Sequence, residues 1–133
     1  MKSKVLRFWG ISAVLFLVAM PVLAHHSFMV EFNMKAPVTI VGTVTNVDWS
    51  NPHISFSVAV KEDSGNMTNW TFDAAAPAAL ERRGWARTTV KPGDFVIVEA
   101  YAARNGKPLG AANAVFLSDG RKINSGSDGA WAK

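Results

Sequence analysis

Residues 38–49, VTIVGTVTNVDW, alternate apolar and polar side chains and then change phase. Val38, Ile40 and Val44 fall on one face with Gly42 between them, while Val47 and Trp49 continue in the opposite phase. Alternation with a period of two marks a half-buried strand. A slip inside a long β-branched run calls for a bulge or a sharp bend, and Gly42 supplies a place to bend. Any fold for this chain has to accommodate that one long, bent strand.

The rest of the sequence supplies strands to pair with it. Asn51 and Pro52 interrupt the run, and ISFSVAVKED then alternates Ile54, Phe56, Val58 and Val60 with Ser55, Ser57 and Ala59. DSGN, residues 63–66, reads as a hairpin turn into MTNWTFDA. APAALERRG has Pro77 in its first turn, cations late and Gly84 as a stop, the pattern of a short helix. KPGD turns into FVIVEAYAA, and RNGK turns into LGAANAVFLSDG. Three strands, a helix and two strands predict an all-β protein with one short helix. The expected architecture is a small five-stranded OB-like Greek-key barrel with the helix between strands 3 and 4. A β-sandwich fragment or another small barrel is the alternative, although five strands are few for a sandwich.

The first 24 residues have the zones of a secretory signal: Lys2, Lys4 and Arg7, an uncharged run from Phe8 to Met20, then Pro21 and the small residues before Ala24. The apolar run falls short of the ~20 residues that span a bilayer as a helix, so cleavage after Ala24 is expected rather than an uncleaved anchor. There is no cysteine for a lipid anchor or a disulfide. The expected organisation is a signal peptide over 1–24, a barrel over 25–123 and a flexible Gly- and Ser-rich tail over 124–133, in a periplasmic or secreted protein. Without the signal, 11 Lys and Arg face 10 Asp and Glu. That near-neutral balance lacks the basic footprint of nucleic-acid binding, so the expected partner is a small molecule or a periplasmic protein, with no nucleic acid and no membrane.

The chain has three histidines, His25, His26 and His53. Cleavage after Ala24 gives His25 a free α-amine beside its imidazole, and both nitrogens lose their protons near neutral pH. That chelate suits Cu(II), with His53 or His26 as a third nitrogen donor. Asp48, Glu31 and Asp73 are candidate oxygen donors. Zinc is a less natural match, with no helix-borne histidine pair and no cysteine. The second candidate surface is aromatic: Trp49, Trp70 and Trp85 offer stacking platforms for a small molecule, glycan or partner protein, although each can equally serve the core. Arg82, Arg83 and Arg87 cluster near Trp85 and read as a solvated helix end. No catalytic constellation stands out: the serines sit in turn sequences, and no paired-carboxylate or nucleophile–base spacing is present.

AHHSF, GTVTNVDWSNPH, LERRGWARTTVKPGD, ARNGKPLGAANAV and LSDGR follow one another from residue 24 to 121. In that order they resemble the DUF6152 family of exported bacterial proteins. HISFSV departs from the more aromatic or acidic stretch of many relatives. The resemblance implies a small periplasmic or secreted domain and carries no activity with it. The expectation is therefore an exported binding protein, with Cu(II) at the mature N-terminus or, failing a metal, a ligand on the barrel's aromatic face.

Overall fold

The computed structural model describes residues 30–126. All the strands described lie within the unit Glu31–Lys133. They are β1 (Phe32–Asp48), β2 (Ser55–Lys61), β3 (Met67–Asp73), β4 (Phe95–Ala103), β5 (Leu109–Phe116) and β6 (Lys122–Asn124), with helix α1 (Pro77–Arg82) between β3 and β4. Across the sheet they run β3-β2-β1-β4-β5-β6. Neighbours in that order are antiparallel, and β3 pairs in parallel with β5 from Thr71↔Leu109 to Asp73↔Ala111. That last pairing returns the hydrogen bonding on itself and makes the sheet a ring.

β1 serves two neighbours in turn. Its first part pairs with β4 as far as Thr43↔Phe95, and from Thr43↔Ala59 onward it pairs with β2. The register shifts between Val44 and Asn46, so Thr45 is an extra residue and the alternation changes phase there. The bulge keeps Val44 buried and Val47 half-buried against the core despite their odd spacing. Gly42, two residues earlier, is needed for close approach. A Cβ at that position would lie 2.2 Å from the Ala59 carbonyl oxygen and 2.8 Å from Val58 Cγ1.

Alternation fills the ring. Phe56 and Val58 from β2, Phe72 from β3, Val96 and Val98 from β4 and Val115 from β5 are all buried, and Phe56 and Phe72 meet at 5.4 Å between ring centres. α1 begins at Pro77, stops before Gly84, whose φ of 89° suits a residue without Cβ, and contributes Leu80 to the same core. The helix lies where the sequence puts it.

Two expectations need correction. The sheet has six strands, not five, and residues 124–126 belong to the bonded structure, not to a flexible tail. Ser125 and Gly126 donate their amides to the Asn113 carbonyl at 3.0 and 3.2 Å, and Ala75 N–H donates to Ser125 O at 2.9 Å. Three residues, Lys122–Asn124, are too few to show an alternation. A Gly- and Ser-rich composition, in turn, says nothing about what the backbone bonds to.

Candidate functional site

The turn between β1 and β2 holds the densest chemistry among the described residues. Ile54 fixes it: its side chain is fully buried, its N–H donates to Ala75 O at 3.1 Å, and its carbonyl accepts from Ala74 N at 2.8 Å. His53, one residue earlier, is thereby held at the rim, with 46% of its side chain exposed. Its Nδ1 lies 3.8 Å from Asp73 Oδ1. That is an ion-pair separation, too long for a hydrogen bond.

Asp73 is there because of register. Ser55 pairs with Asp73 on one side and with Asp48 on the other, so three strands set Asp48, Ser55 and Asp73 in a row. Ser50 Oγ donates to Asp48 Oδ1 at 2.8 Å. Burial pushes the Asp73 carboxyl above its ordinary value, against an opposing pull from the His53 charge. The site is thus an exposed imidazole with a mostly covered carboxylate at ion-pair distance behind it. Counting outward from the 63–66 turn pairs residue 55 with residue 74. The turn closes one residue earlier, with Glu62 N–H donating to Asn66 O, which brings Asp73 opposite Ser55, so this neighbour of His53 was not fixed by the sequence.

His25 and His26 lie outside the described residues. Among the described residues no group of three or more His, Asp and Glu side chains is gathered to hold a metal ion. His53 with Asp73 supplies two donors at most; any further ligand must come from elsewhere in the chain or from solvent. Glu31 offers its main-chain oxygen to Arg104 N–H at 2.8 Å.

The three tryptophans do not form one platform. Trp85 is only 4% exposed, and its Nε1 donates to Asn124 O at 3.1 Å. Its ring is core, which corrects its assignment as a ligand-binding residue. Trp49 and Trp70 are half-buried: Arg87 lies 5.9 Å from the Trp49 ring centre, and Trp70 stacks on Phe72 at 5.9 Å. No ring contact joins any two of these tryptophans among the described residues. The arginines also disperse, Arg83 bonding Asn124 Oδ1 and Gly126 O while Arg87 turns to Trp49.

Residues 13–112, well over half of the chain, match the profile of the family of unknown function DUF6152. The chain belongs to this family. The matched span takes in all three histidines, Trp49, Asp73 and α1, and stops short of β6. No curated protein matches the DUF6152 chain in sequence. Among solved structures, a crystal structure of the mitochondrial single-stranded DNA binding protein Rim1 from S. cerevisiae is similar to it. The identity is 18%, the TM-score is 0.49, and the match covers 62% of this chain and 93% of that one.

The exclusion of nucleic-acid partners drawn from net charge does not stand on that balance alone. Net charge averages over the whole surface and does not describe a local binding face. DNA binding is a property of Rim1, and the likeness assigns no such role to the DUF6152 chain. Among the described residues no helix is long and apolar enough to cross a membrane.

Proposed function

We propose that the protein is exported, loses residues 1–24, and binds Cu(II) through the α-amine and imidazole of the new N-terminal His25. In this reading the six-stranded ring is an OB-type Greek-key barrel elaborated by β6, and its role is to bind a ligand, not to transform one. The observation that carries the proposal is His53. It is an exposed imidazole with Asp73 behind it, and no hydrogen bond to its ring is present among the described residues. His53 or His26 supplies the third nitrogen.

Tetragonal nitrogen coordination of this kind favours Cu(II) over the other divalent metals.

The test is a Cu(II) titration with EPR on exported protein whose mass confirms His25 as the first residue. A form with one extra alanine before His25 and a His53→Ala variant run beside it. Tight binding with a nitrogen-rich signal, lost in the extended form, is the expected result, and a weakened, altered signal in His53→Ala identifies the third ligand. An unchanged signal in that variant assigns the third position to His26. Equal weak binding by the native and extended forms overturns the proposal.

A further inference from the structure

The outer wall of the barrel carries a groove that involves neither the histidines nor the tryptophans. It lies over β1, β4 and β5, has a volume of about 180 Å³, and is lined by Pro37, Thr39, Glu99, Tyr101 and Asn113 among others. The pairings Pro37↔Tyr101 and Thr39↔Glu99 set these side chains side by side on β1 and β4.

Two irregularities build it. The β1–β4 register shifts between Phe32 and Pro37, and the β4–β5 register shifts between Glu99 and Ala100. The second shift leaves Asn113 as an extra residue between Ala112 and Ala114. Bulges of this kind re-aim a side chain beside a site. The Asn113 backbone is fixed by the two amides it accepts, from Ser125 and Gly126.

We infer that this groove binds one neutral sugar ring of a glycan. Tyr101, the chain's only tyrosine, offers an aromatic face with a polar tip. Thr39 and Asn113 offer a hydroxyl and an amide, and the Glu99 carboxylate accepts hydrogen bonds from hydroxyls. Lys122 Nζ sits 2.9 Å from Glu99 Oε2 and offsets its charge. Glu99 is the only ionisable acid or base of the lining apart from the tyrosine, and its ion pair with Lys122 leaves the groove without a net charge to select a cation. Its volume is below the ~300 Å³ at which drug-sized pockets begin, which limits the occupant to about one ring.

The test is an NMR titration of the mature chain with two probes at millimolar concentration, the trimer of N-acetylglucosamine and maltotriose. Saturable shifts with at least one probe, centred on the amides of Thr39, Glu99, Tyr101 and Asn113, are the expected result. Tyr101→Ala weakens that binding about tenfold, whereas Tyr101→Phe, which keeps the ring, stays within about threefold. Thr39→Lys, at an exposed position, fills the groove without touching the core and abolishes the shifts even if Tyr101→Ala fails to fold. All three variants retain the copper behaviour of the parent, which separates this inference from the histidine site. Absence of saturable shifts with both probes, shifts centred elsewhere, or a Thr39→Lys form that titrates like the parent overturns it.

Discussion

Asp73 ends β3 with its side chain only 24% exposed, and burial holds its carboxyl proton to a higher pH than in the unfolded chain. Between the ordinary value of 3.8 and that raised value the folded state binds more protons, so stability falls as pH rises through the interval. Below 3.8 the carboxyl is protonated in both states and the penalty is absent. Asp73→Asn keeps the shape and removes the titration. Its melting temperature is expected to exceed the parent's at neutral pH, with the gain vanishing below pH 3.8 in a series of thermal melts. A gain that persists at the acid end would deny burial as the cause. His53 was legible as a rim residue because Asn51 and Pro52 announce a turn. Trp85 was not legible as core, since three tryptophans look alike in sequence. What separates Trp85 is the chain reversal at Gly84, which turns the next residue back under α1.

At the scale of the element, β1 decides the fold, and most of it was readable. The phase change between Val44 and Val47 marks the Thr45 bulge, and the inward set Val38, Ile40 and Val44 is the one the alternation predicts. The role of Gly42 was visible only in outline. The sequence offers it as a place to bend, whereas the structure uses it because β2's backbone passes where a Cβ would stand. The obstructing atom is a carbonyl oxygen of a paired strand, so no side-chain rotation relieves the clash. Gly42→Ala is therefore expected to lower the unfolding free energy by at least about 2 kcal/mol in urea titrations. A loss below about 0.5 kcal/mol would mean that β1 and β2 separate freely at this point. Gly110 offers a contrast, because its nearest neighbours are Phe72 ring atoms at 3.1 Å, a side chain that has some room to give. β6 escaped the sequence reading because three residues show no alternation, although the turn closed by Leu117 N–H to Arg121 O brings it directly back onto Ala114, Val115 and Phe116.

For the whole molecule, ring closure falls along one edge of β5 and is shared by two strands. β3 pairs with β5 at Leu109, Gly110 and Ala111, and β6 pairs with it at Ala114, Val115 and Phe116. Neither strand covers the edge alone. The chain just after β6 also returns to the end of β3, where Ala75 N–H donates to Ser125 O. β6 therefore seals the half of the seam that β3 does not reach, and Trp85 ties it to the core through Asn124 O. Parallel pairing of β3 with β5 does not involve β6, so a chain ending at Arg121 keeps its ring but loses that seal and the half-buried Ile123. Such a chain is expected to melt cooperatively, at a temperature lower by roughly 5–10 °C, which corresponds to about 1–2 kcal/mol in a domain of this size. Hydrogen exchange gives the sharper reading. The β5 amides that face β6 should lose protection, while those of Thr71 and Phe72 in β3 should keep it. Loss of protection across both halves together would show that the seam closes as one unit, with β6 as necessary to the ring as β3.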